Sequence, residues 1–265
     1  MRTDRGFCGD LADGLWRESP QAAERTLAVY GTPLFGYLSL MLGDRDVATH
    51  ALADTLIVAL GHAGRLAEPE LLPAWLFALA RRERERRQRA AATRAIPDTL
   101  GSLTALAGPP AAAEAASAAE LAYLALARLD IDEREALLLG AMRPLLRTPD
   151  IARVLGTGDE TAAELRSRAG HRFREEITLL RLSSDIAVDE LVADMSRCLL
   201  GGVPRDRVIY MCLAPELAER RRQVQEQTGP FGTDGFPVAA REPEPAVASR
   251  RMLWLPRLRL SWRWT

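Results

Sequence analysis

Three stretches in the first ninety residues repeat apolar side chains every three or four positions, with turn chemistry between them. The first runs from Ala22 to Leu42 and stops at "GDRD" (43–46). "VATHALADTLIVALGHA" (47–63) follows, then the two-proline segment "GRLAEPELLP" (64–73), then a third run over 74–92. Such spacing gives each helix one apolar stripe, and three stripes joined by short turns hide one another as a bundle. Alanine, leucine, arginine and glutamate dominate the rest, and alternating β-branched stretches are nearly absent, so the fold class is all-α.

At 265 residues the chain has room for two small helical domains. After an N-terminal segment (1–21), the spacing predicts a first domain over 22–92. The proline- and glycine-containing stretch 93–118 reads as a linker, and a second helical domain occupies 119–180. A helical extension over 181–227 is expected as two helices broken at "GGVPRD" (201–206). Residues 228–265 read as a disordered linker and a tail. That tail, "RRMLWLPRLRLSWRWT" (250–265), has five arginines, three tryptophans and no acid, which suits an anionic membrane surface, a nucleic-acid backbone or an acidic partner.

Net charge is −1, so a polyanion partner has to be argued from local patches. All 35 basic residues are arginine, with no lysine and no asparagine, which fits a GC-rich coding sequence; only arginines clustered apart from acids carry weight. Cys8, Cys198 and Cys212 are too few and too scattered for a disulfide framework or a zinc site, and read as core filling or reduced thiols. The opening residues lack a signal-type apolar region. No run approaches the roughly 20 apolar residues of a membrane span. The expectation is a cytoplasmic protein. His50, His62 and His171 are far apart without metal-ligand companions, and no GxGxxG, P-loop or GxSxG motif occurs. The chain therefore reads as a non-enzyme with no cofactor and no metal.

Two segments carry a positive signal. In "TPDIARVLGTGDETAAELRSRAGHRF" (148–173), Ile151, Val154 and Leu155 give a short helix an apolar face. Gly156 suits a left-handed C-cap, and Asp159 is placed to cap the next helix. There Ala162, Leu165, Ala169 and Phe173 form a buried stripe, leaving Thr161, Glu164, Ser167, Arg168, His171 and Arg172 on other faces. This is a helix-turn-helix pattern, although an ordinary αα-corner has the same spacing. The second segment is "PAWLFALARRERERRQR" (73–89). Trp75, Leu76 and Leu79 anchor it, and Arg81, Arg82, Arg84, Arg86, Arg87 and Arg89 then face only Glu83 and Glu85. Such a helix can neutralise several phosphates; a solvated helix end laced with Arg–Glu pairs has the same composition.

Taken together, the basic tryptophan-anchored helix, the linker and the helix-turn-helix resemble the extracytoplasmic-function sigma factors of bacterial RNA polymerase, over about residues 22–177. "PAWLFALARRERERR" is similar to sigma region two, and "DEREALLL", "IARVLG" and "SRA" follow the order and spacing of region four. The resemblance implies that the helix after Gly43 docks on core RNA polymerase through Leu52, Asp54, Thr55 and Leu56. Asp54 and Thr55 match the family pattern, whereas Thr49, His50 and Ala53 depart from it at positions expected to be exposed. It implies contact of Trp75, Arg81, Arg82 and Arg84 with the −10 element, the loop before Trp75 lying near a captured base. The −35 reader would use Thr161, Glu164, Ser167, Arg168, His171 and Arg172. Core polymerase and promoter DNA are the implied partners, with room for an anti-sigma factor. The alternative is a degenerate sigma-like regulatory or interaction module without promoter activity, suggested by Thr49, His50 and the acidic Glu164.

Overall fold

The computed structural model describes residues 5–92, 122–142, 145–179 and 202–238. They are all-α: among the described residues the only extended pairing is an isolated bridge between Phe231 and Pro237. The linker 93–118, the region 183–200 and the tail 250–265 lie outside the described residues.

The N-terminal segment is helical. Helix α1 (Arg5–Trp16) buries Cys8, Leu11 and Leu15 along one stripe against the helices that follow. Gly14 lets it approach α2 closely, since a Cβ there would lie 2.6 Å from that of Ala22. Helix α2 (Pro20–Leu42) begins with proline at its first position and ends at Gly43, whose φ of 70° takes the left-handed conformation. Asp44 then caps α3 (Arg45–His62), accepting the Val47 N–H at 2.8 Å. Helix α4 (Leu72–Ala92) buries Trp75, Leu76, Phe77 and Leu79.

Helix α3 is the axis of the molecule. Ala48 and Thr49, then every residue from Ala51 to Leu60, are buried, so it has no solvent face of the usual amphipathic kind. Helices α1, α2 and α4 pack around it, and the C-terminal segment closes the remaining side. The expectation that Thr49 and Ala53 are exposed is corrected. Thr49 is 1 % exposed, with its hydroxyl donated back to the Arg45 carbonyl at 2.8 Å, and Ala53 is fully buried.

The second helical unit consists of a short helical stretch (122–127), α5 (Ile131–Gly140), α6 (Thr148–Leu155) and α7 (Asp159–Leu179). Ile151, Val154 and Leu155 form the buried face of α6, and Gly156 ends it with a φ of 69°. Ala162, Ala169, Phe173 and Ile177 are the buried stripe of α7, while Leu165 sits half-buried at its edge. Asp159 falls in the first turn of α7 rather than at its cap: the Ala162 N–H bonds to the Gly158 carbonyl, one residue earlier than expected. The two units pack directly, α4 against α6 and α2 against α5.

The C-terminal segment holds α8 (Arg205–Leu213), a single 3₁₀ turn and α9 (Ala218–Glu226). Residues 228–238, expected to be disordered, form a folded turn that returns to the first unit. Gly229 and Gly235 take positive φ there, and Phe236 is buried. Glycine and proline signal tight turns as well as disorder, and Phe231 and Phe236 supply the apolar contacts that decide for the turn.

Candidate functional site

The basic half of α4 meets two buried carboxylates, one from each side. From α5, Glu135 is fully buried (0 % exposed) and lies between Arg81 and Arg84. Its Oε2 accepts from Arg81 Nε at 3.0 Å and from Arg84 Nη2 at 3.2 Å, while Oε1 accepts from the Tyr37 hydroxyl. Burial, followed by the neighbouring Glu135 charge, pushes the Tyr37 hydroxyl well above its usual range. Burial disfavours charge on Arg81 most strongly, but Glu135 and Glu85 outweigh it and hold its pKa above the ordinary value.

From α3, Asp54 is 2 % exposed and receives Arg86 Nη2 at 3.1 Å, Arg87 Nη2 at 2.5 Å and, from the C-terminal segment, Arg220. Glu83, also buried, accepts from Arg86 at 2.9 Å and Arg87 at 2.6 Å. Four of the six arginines thus spend donors on carboxylates inside the fold. Arg82 donates from Nη1 to the Val238 carbonyl at 2.6 Å. Burial, above all, pulls its pKa down.

Of the residues implicated in −10 contact, Trp75 is fully buried and its indole N–H donates to the Gly235 carbonyl at 2.7 Å. The loop before it is covered by the same turn: the Ala67 N–H bonds to the Asp234 carbonyl at 3.3 Å, and Phe231 stacks on His62 at 4.8 Å. Leu52, Asp54, Thr55 and Leu56 are all buried, so none offers a surface for docking in this arrangement. The Thr55 hydroxyl is turned back to the Ala51 carbonyl at 2.8 Å.

Helix α7 is different. Thr161, Glu164, Ser167, Arg168 and His171 are exposed along it, and Arg172 is partly so. Arg168 pairs with Glu133 at 3.3 Å, Arg172 with Asp130 at 2.9 Å and Glu133 at 2.7 Å, and His171 with Glu175 at 3.3 Å. The hydrogen bond that Arg172 donates to Asp130, then the Glu133 charge, raises the Arg172 pKa. The structure therefore brings the six α7 residues together on one accessible helix and separates them from Trp75, Arg81, Arg82 and Arg84, which are engaged elsewhere.

A cavity of about 50 Å³ marks the junction of α4, α6 and the 228–238 turn, with Arg81, Arg82, Arg89 and Arg153 among its walls. Among the described residues no group of histidine, cysteine and acidic side chains could hold a metal ion, and no helix is long and apolar enough to cross a membrane. Cys8 and Cys212 are buried free thiols; burial, above all, pushes that of Cys212 up to about 12. No family model, curated protein or solved structure matches this chain.

Proposed function

We propose that this chain is a non-enzymatic, sigma-type transcription initiation factor that joins core RNA polymerase in the cytoplasm and reads promoter DNA through α7. The observation that carries the reading is the helix-turn-helix of α6 and α7. Gly156 provides the left-handed turn, Ile151, Val154 and Leu155 seat the first helix, and the second presents Thr161, Glu164, Ser167, Arg168 and His171 to solvent. In this reading Arg168 and Arg172 position the helix on phosphate, and Glu164 accepts from a cytosine amino group. Arg81, Arg82, Arg84 and Trp75 would serve the −10 element once their present contacts are released. The test is co-elution of the purified protein with core polymerase at micromolar concentration, followed by run-off transcription from genomic promoter fragments. No complex and no transcript would end the reading.

The second reading, a sigma-like regulatory module without promoter activity, is favoured by a separate observation: Leu52, Asp54, Thr55 and Leu56 are buried together, and four α4 arginines are neutralised by Asp54, Glu83 and Glu135. It predicts DNA binding through α7 with no polymerase association.

A further inference from the structure

The C-terminal segment follows one face of α3 from end to end. Asp46, His50, Asp54, Ile57 and Gly61 recur at steps of three and four residues, and each meets α8 or α9. Arg207 bonds to Asp46 at 2.6 Å and lies 3.3 Å from His50 Nε2. Arg220 pairs with Asp54. Between them the Cys212 thiol donates to the Ala53 carbonyl at 3.4 Å, and beyond Asp54 Gln225 Nε2 donates to the Ile57 carbonyl at 3.2 Å. At the near end, Arg45 reaches the Gly202 carbonyl at 2.5 Å. The 228–238 turn then continues over the loop 64–67, Trp75 and Arg82.

We propose that residues 202–238 are an intramolecular cover seated on a docking stripe of α3, and that the chain exchanges this cover for a protein partner. The partner is a helix presenting cations toward Asp46 and Asp54 around a small apolar contact at Ala53 and Ile57. This rests on the reading of α3 and α4 as partner-binding elements and adds the way their access is controlled. Three features separate a cover from an ordinary core element. Its attachment combines an apolar seat of Val208, Met211, Cys212, Val224 and Phe236 with a polar row of side chains reaching helix carbonyls and two arginines reaching carboxylates. It carries no net charge, with five arginines against five acids over 202–238, so lifting it changes the field only locally, where Arg207 and Arg220 leave Asp46 and Asp54. Finally, it lies at once on Asp54 of the α3 stripe, the loop before α4, Trp75 and Arg82, whereas Arg84 is covered from α5 by Glu135. Being part of the same chain, it rebinds at a high local concentration and a partner must outcompete it.

The experiment uses the full chain with Gly61→Cys and Gln225→Cys in a Cys198→Ser background. A Cβ at residue 61 would lie 3.1 Å from the Gln225 Cγ, which brings the paired Cβ positions within disulfide reach. The oxidised protein is locked shut and the reduced protein is free to open, so each preparation is its own folding control. A labelled synthetic peptide of residues 202–226 and core RNA polymerase are the two probes. The reduced form should take up the peptide and bind polymerase about tenfold or more tightly than the oxidised form, and Val224→Asp should raise peptide uptake over wild type by about tenfold. A peptide with Arg207→Glu and Arg220→Glu should not bind. Peptide uptake that responds to the lock, with polymerase retained by neither form, leaves the cover standing and refutes the polymerase reading. Equal peptide uptake by oxidised and reduced forms, or none by the Val224→Asp protein, overturns the cover whatever polymerase does.

Discussion

Replacing Glu135 by alanine tests whether the basic helix is held by ion pairs or merely decorated with them. The carboxylate is 0 % exposed and serves Tyr37, Arg81 and Arg84. Arg81 has about a fifth of its side chain exposed and keeps Glu85 at 3.2 Å, so its loss is small. Arg84 is 4 % exposed and retains Gln88 at 3.1 Å and Glu85 at 3.5 Å, while its Nε already lacks a partner. Breaking a buried pair from one side costs about 3–5 kcal/mol, and an orphaned hydroxyl about 1–3 kcal/mol. The retained partners of Arg84 place the combined loss near the lower end, at about 4 kcal/mol. Against a typical total of about 5–15 kcal/mol, that is a large fraction. Urea denaturation should show a lowered midpoint, and Tm should fall by roughly 8–16 °C. Glu135→Gln, which keeps an acceptor and the volume, should lose about half as much. The triple change Tyr37→Phe, Arg84→Met, Glu135→Leu should recover most of the stability, because Glu135 leaves with its two most buried partners and Arg81 keeps Glu85. A loss below about 1 kcal/mol for Glu135→Ala would refute the argument and return the arginines of α4 to solvent.

Three further outcomes follow from the same geometry. Thr49→Glu puts a carboxylate at a 1 % exposed position and should destabilise by about 2 kcal/mol or more in urea melts, whereas His50→Asp beside Arg207 should be close to neutral. His50 and His62 both have pKa values lowered from 6.5, first by burial, so the folded state binds their protons less readily than the unfolded chain does. Their contribution is complete above about pH 6.5 and is lost as pH falls below it; urea midpoints between pH 7.5 and 5.5 should decline, and a His50→Gln, His62→Gln protein should lose that slope. Arg168→Ala should weaken duplex binding by α7 and reduce the salt slope by about 1, with less than about 1 kcal/mol of stability lost, because its side chain is 63 % exposed beside Glu133. An unchanged slope in fluorescence anisotropy would take Arg168 off the phosphate backbone.

The elements of this fold are legible in the sequence wherever local chemistry decides them. Gly43 and Asp44 end α2 and cap α3, and Gly156 ends α6, each where the turn signals stand. Helix α1 is harder to see, because Gly6, Gly9 and Gly14 interrupt the stripe of Cys8, Leu11 and Leu15; only the packing of α2 and α3 makes that stripe worth a helix. The pairing of Arg81 and Arg84 with Glu135 spans more than fifty residues and leaves no local trace, since an arginine destined for a buried carboxylate looks the same as one facing solvent. Alanine at 48, 51, 53 and 59 is the signal that was available for α3: small residues on every side of a helix suit close neighbours on every side. The α7 face was the easiest to read, because its buried stripe and its exposed positions depend on one helical period and not on any distant partner.

The wrapped position of α3 also has a consequence in time. The helix ends at His62, and α9, which completes its enclosure, ends at Glu226, 164 residues later by subtraction. At synthesis rates of about 5–20 residues per second, the ribosome needs roughly 8–33 s to make what lies between. Within that interval, once α4 has followed as far as Ala92, the nascent chain has all of α2, α3 and α4 while the Asp46–Gly61 stripe is still bare. A partner present at the ribosome meets no intramolecular competitor, whereas one arriving after release meets the finished chain. Birth order therefore gives each molecule one early period in which capture is easiest.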